Sequence, residues 1–152
     1  MTVTKWIRCF VALVASAGLS AFAADNCSGT FNTVNTSSST FEAAKGHLMT
    51  SFVYNQISRS ENAPLVNVAG ECTGYMLTTP DGKAQMAGAC ILKAADGSSV
   101  SYVWELSPGA ERGTYKMIGG TGKFAGKKNS GWWQTQFSEG KFGFGVWGGT
   151  CE

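Results

Sequence analysis

From Gly46 onward the sequence is a series of short apolar or aromatic segments cut by turn residues, and that rhythm leaves few architectures open. The segments are HLMTSFVYNQ, LVNVAGECTGYMLTT, KAQMAGACILK, SVSYVWEL, GTYKMIG, GWWQTQF and KFGFGVWG. Between them stand Pro80-Asp81-Gly82, Asp96-Gly97, Pro108-Gly109, Gly119-Gly120-Thr121-Gly122 and Glu139-Gly140. β-Branched and aromatic residues suit a pleated, half-buried surface, whereas Gly, Pro and Asp suit reversals. After position 23 no window of about 11 residues keeps a helical period. Short antiparallel strands at regular spacing build a sandwich or a barrel. A closed barrel is preferred, because closure removes exposed edges and only 14% of the residues are charged to guard them. The expected fold is all-β: a small antiparallel closed barrel of about eight strands, stapled by disulfides. It should occupy residues 46–152. The Ser/Thr/Asn-rich stretch within 24–45 reads instead as a loop or weak edge segment.

The first 23 residues read as a secretory signal peptide. Lys5 and Arg8 supply the positive start, Cys9–Ala21 the apolar run, and Ala21-Phe22-Ala23 the cleavage site. That run is shorter than the roughly 20 residues needed to span a bilayer, and no comparable run follows. The mature chain is therefore expected to be exported, periplasmic or secreted, and without a membrane span. The leader also holds the charge excess. The chain has 12 basic and 10 acidic residues, and without Lys5 and Arg8 the two signs balance. A neutral domain lacks the basic stripe of a nucleic-acid binder.

Of the 5 cysteines, Cys9 falls in the leader. The other four, Cys27, Cys72, Cys90 and Cys151, read as a disulfide framework in an exported chain. Centring the Thr79-Pro80-Asp81-Gly82 turn on Asp81 sets Cys72 opposite Cys90, Gly74 opposite Gly88 and Met76 opposite Met86. A Cys72–Cys90 bridge follows, which leaves Cys27 and Cys151 to join the chain ends. With no CxxC and a single His, His47, a zinc site is not expected, nor is any other metal or cofactor. In the last hairpin, a turn at Glu139-Gly140 would put Trp133, Thr135 and Phe137 on one face with Phe142, Phe144 and Val146. The other face would carry Trp132, Gln134, Gln136, Gly143, Gly145 and Trp147. Glycines facing large rings let those rings lie flat on the backbone.

The most distinctive segment is Ile118-Gly119-Gly120-Thr121-Gly122-Lys123-Phe124-Ala125-Gly126. It resembles the GGTGKFAG-type turn of the allene oxide cyclase barrel superfamily, which includes the dirigent proteins. The likeness covers residues 113–145 and extends elsewhere only as strand rhythm. One departure is Lys127-Lys128-Asn129-Ser130, which intervenes before Gly131 and lengthens the turn. In this reading Gly119, Gly120 and Gly122 take positive φ and Phe124 plugs the barrel end. The resemblance implies an eight-stranded barrel with a hydrophobic cavity, often assembled as a homo-oligomer. Its members include cyclases, proteins that steer a coupling reaction without catalysing it, and exported bacterial proteins. No specific reaction carries over.

Two kinds of residue are candidates for function. Phe52, Tyr54, Tyr102 and Trp104 offer rings with polar tips, suited to an apolar or amphiphilic small molecule. Glu71 and Glu105 lie inside apolar strands and would serve as cavity acids if they faced inward. Three readings stay open. The leading one is a non-catalytic barrel that binds a small apolar or amphiphilic molecule. The second is a cyclase or isomerase using Glu71 or Glu105. The third is a structural protein forming homo-oligomers.

Overall fold

The structure, a computed structural model, describes residues 26–60 and 67–152, so the leader expected at 1–23 lies outside the described residues. Eight antiparallel strands form one closed barrel in sequence order, with β8 returning to β1. They are β1 (Cys27–Ala44), β2 (His47–Ser60), β3 (Val68–Thr78), β4 (Ala84–Ala94), β5 (Ser99–Leu106), β6 (Gly113–Gly120), β7 (Asn129–Glu139) and β8 (Phe142–Cys151). Each strand alternates sides. Along β3, Val68 and Cys72 are buried while Ala69, Glu71, Thr73 and Tyr75 are exposed. The β3–β4 register is the expected one, with Cys72↔Cys90, Gly74↔Gly88 and Met76↔Met86 as partners. Both expected disulfides, Cys72–Cys90 and Cys27–Cys151, are present.

Residues 28–45 are not a loop or weak edge. All but Lys45, which starts the β1–β2 turn, belong to β1, which pairs with β2 from Gly29↔Ser60 to Ala44↔His47 and with β8 from Cys27↔Gly149 to Val34↔Phe142. The barrel therefore begins at Cys27 rather than at 46. The stretch escapes sequence reading because its alternation is reversed. Thr33, Asn35 and Ser38 face a cavity, whereas Val34 faces out. Past Val34 the β1–β2 ribbon continues beyond the end of β8.

The last hairpin also differs from expectation. Glu139 pairs with Phe142, so Gly140 and Lys141 make the turn. Gly140 has φ 58°, the positive φ that a type II′ turn asks of its first central residue. A register shift between Thr135 and Phe137 follows. Together these bring Trp133 opposite Trp147 and Phe137 opposite Phe144. The inward face of β8 is Gly143, Gly145 and Trp147, while Phe142 and Phe144 are exposed.

The two barrel ends are unlike. Four hairpin turns, β1–β2, β3–β4, β5–β6 and β7–β8, lie at one end. At the other end Gly122–Phe124 form a short 3-10 turn between β6 and β7. Phe124 is 0% exposed and packs with Val68, Leu92, Val100 and Met117, closing that end. The connections there hold one another. Ser98 Oγ accepts the Lys123 N–H at 3.1 Å, and the Ser99 N–H donates to Thr121 Oγ1 at 3.0 Å. Of the three expected turn glycines only Gly122 has positive φ, at 57°. Gly119 and Gly120 are the last residues of β6, beside a register shift that leaves Ile118 outside the ladder.

Candidate functional site

The barrel encloses a cavity of about 430 Å³. That lies within the range of small-molecule sites, roughly 300–1,000 Å³. Gly140 and Lys141 of the β7–β8 turn line it, so its mouth is at the hairpin end. The opposite end is filled by the core around Phe124, and Cys90 of the Cys72–Cys90 bridge belongs to the cavity wall.

Phe52, Tyr54, Tyr102 and Trp104 all line this cavity. β2 supplies the first two and β5 the others, each pair at alternate positions and so on one face. Trp104 is central. Its ring stacks on Phe52 at 6.2 Å and meets Trp133 edge-on at 5.8 Å. Gly74 and Gly88, partners across β3 and β4, make room for it. A Cβ at Gly88 would collide with the Trp104 ring and the Thr73 carbonyl oxygen. The second aromatic row is Tyr102, Tyr115 and Trp147, in edge contacts of 5.9 and 6.1 Å.

Tyr115, Trp133, Trp147, Phe31 and Asn129 are wall residues that sequence reading did not select. A usable signal existed for two of them. Gly113 and Gly29 lie directly beneath Trp133 and Trp147, as Gly88 lies beneath Trp104. Without the β1–β8 and β6–β7 pairings, that signal has no geometry to act on. Phe31 lies in the Ser/Thr/Asn-rich stretch, whose composition resembles a loop.

Glu71 and Glu105 are corrected by the structure. Both are exposed on the outer face and neither lines the cavity. Glu71 lies between Asn55 and Ile91, and Glu105 accepts a hydrogen bond from Thr114 Oγ1 at 3.4 Å. Their apolar neighbours in sequence misled because the outer wall is itself apolar, with Ile91 60% exposed. His47 opens β2 at the hairpin end, its Nδ1 3.1 Å from the Lys45 carbonyl oxygen. Lys128 is exposed and pairs loosely with Glu152 at 3.9 Å.

Among the described residues the wall contains no carboxylate and no histidine, and its one charged side chain is Lys141 at the mouth. Its polar groups are hydroxyls, amides and indole N–H groups. Tyr115 donates to Asn129 Oδ1 at 2.6 Å, Tyr54 donates weakly to Cys90 Sγ at 3.8 Å, and Trp133 Nε1 donates to the Thr114 carbonyl at 3.1 Å. Burial pushes the Tyr54 and Tyr102 phenols well above the usual tyrosine range, and neighbouring Tyr115 adds to the shift of Tyr102.

A pH dependence follows. In the unfolded chain these phenols ionise near pH 10, but in the barrel they stay neutral. Stability is therefore fully present below about pH 10 and falls above it, as the unfolded state gains by losing protons. Phenolate absorbance should show Tyr54 and Tyr102 titrating only as the barrel unfolds. The double variant Tyr54→Phe, Tyr102→Phe should flatten the alkaline decline. Titration of both phenols near pH 10 in the folded protein would contradict this.

Among the described residues no group of three or more His, Cys, Asp or Glu side chains could hold a metal ion. No helix among them is long and apolar enough to cross a membrane. In comparisons with known proteins, no family model and no curated protein matches this chain.

Proposed function

We propose that the chain is an exported small β-barrel that binds an apolar or amphiphilic small molecule in its cavity, without catalysing a reaction on it. The observation that carries this reading is the wall itself: an aromatic-lined volume of about 430 Å³, open at one end, whose only charged side chain among the described residues stands at the mouth. The cyclase or isomerase reading loses its residues, since Glu71 and Glu105 are on the outside. Export is supported by the two disulfides, which persist in oxidising compartments, and by the leader-like first 23 residues. Kinship with the allene oxide cyclase-like barrels rests on the Gly119–Gly126 segment and fits the same reading.

The test is binding of N-phenyl-1-naphthylamine, a neutral apolar dye, to the folded, disulfide-intact protein. Saturable fluorescence enhancement is expected, weakened in Trp104→Ala. Organic extraction of protein from its natural source should release a small apolar compound. No enhancement and no extractable compound would defeat the reading. A second reading, assembly with further copies, has the exposed outer residues Ile57, Ile91, Val103 and Ile118 in its favour. A monomer by sedimentation at high concentration would remove it.

A further inference from the structure

Among the described residues, four buried side-chain polar atoms have no hydrogen-bond partner: Asn35 Oδ1, Trp104 Nε1, Asn129 Nδ2 and Trp147 Nε1. All four residues line the cavity. Three of the atoms are donors. Asn129 is only 4% exposed and Trp147 only 7%. The other end of the Asn129 amide is already engaged, because its Oδ1 takes the Tyr115 hydroxyl proton at 2.6 Å. The amide NH₂ is thus the end left over. Tyr102 lies beside this group, with its ring 5.9 Å from that of Tyr115.

A buried donor without an acceptor costs about 1–3 kcal/mol, and such groups are normally few and scattered. Here all four belong to residues that line a single cavity, on β1, β5, β7 and β8, and that coincidence needs a cause. We infer that the inner part of the cavity is a donor site for a neutral hydrogen-bond acceptor, a carbonyl-class oxygen carried by an otherwise apolar ligand. The inference rests on the binding reading above and names the ligand chemistry for that same cavity.

Charge and donor count select the class. A carboxylate held among Trp147, Asn129 and Tyr102 would be buried without a counter-charge, since Lys141 stands at the mouth. A ligand hydroxyl needs an acceptor as well, and the one orphaned acceptor, Asn35 Oδ1, belongs to the stretch of β1 that meets the β7–β8 turn. A ketone, quinone or lactone oxygen needs donors only. Trp104, Trp147 and Asn129 offer N–H groups, and Tyr102 a phenol that stays protonated.

The probes are 9-fluorenone and fluorene, rings of one shape that differ by a carbonyl. Each is titrated by equilibrium dialysis into the full chain with its disulfides intact, and the carbonyl stretch of bound fluorenone is recorded. Fluorenone's carbonyl band should lie below its position in hexane. Its affinity relative to fluorene should fall about 3- to 10-fold in Trp147→Phe, the range of one neutral hydrogen bond. Tyr102→Phe and Trp104→Phe carry the same test if Trp147→Phe does not fold. If both compounds bind, with a hexane-like carbonyl band and a ratio unchanged in the variants, the donor site is wrong while the binding reading stands. If neither binds the native barrel, both fall.

Discussion

Replacing Cys27 and Cys151 by serine is expected to destabilise the barrel by about 5 kcal/mol. The bridge spans a sequence separation of 124 residues. The entropy that such a cross-link removes from the unfolded chain grows with the logarithm of the loop, which gives about 5 kcal/mol here. The same relation gives only about 3 kcal/mol for Cys72–Cys90, with its separation of 18 residues. A small domain has roughly 5–15 kcal/mol in total, so the first loss brings it close to unfolding at body temperature. Position adds to length. Cys27 starts β1 and Cys151 ends β8, so the bridge locks the seam that closes the barrel. Asn26 supports the same point, its side chain accepting the Cys151 N–H at 2.7 Å. Guanidinium unfolding of the double serine variant beside the Cys72→Ser, Cys90→Ser variant measures both. A loss below about 1 kcal/mol at the seam would mean that the β1–β8 ladder closes the barrel unaided, against the chain-entropy argument.

Phe124→Ala should cost about 3–5 kcal/mol, the usual range for deleting a fully buried ring. Phe124 is 0% exposed and sits in a short turn rather than in a strand. Its neighbours Val68, Leu92, Val100 and Met117 come from β3, β4, β5 and β6, strands pinned by their own ladders. They cannot collapse into the space, so the void term adds to the lost transfer energy. Phe124→Leu should recover most of the loss. Equal stability of Phe124→Ala and the native chain in urea would show that the ring is not the plug of this end.

Local regularities carried well from sequence to structure. The β3–β4 hairpin was legible because Thr79 to Gly82 forms a compact reversal and the residues on either side are symmetric about it. Asp81 accepts the Thr79 hydroxyl proton there, and Lys83 pairs with Asp81 at 2.9 Å. Phe52, Tyr54, Tyr102 and Trp104 could be grouped because side chains on a strand repeat with a period of two. β1 and β8 are hard to read from sequence for a shared reason. Apart from Phe31 and Trp147 their inward faces are polar or glycine, and their outward faces hold Val34 and Phe144, the reverse of a strand over a packed core. Glu71 and Glu105 failed on the same inversion, for an apolar outer wall makes an outward acid look embedded.

By itself the sequence determined the strand rhythm, the closed all-β architecture and the Cys72–Cys90 register, and through that register both bridges. These follow from period, turn chemistry and opposition across one hairpin, all short-range along the chain. Only the tertiary structure decided which face of each strand looks inward, and with it the cavity. It placed Trp147 beside Trp133 and Asn129 beside Tyr115, and it put Lys141 at the mouth. Those neighbours arise from closing β8 onto β1 and from a one-residue turn offset with a bulge. Each such shift moves a whole strand's side chains to the other face.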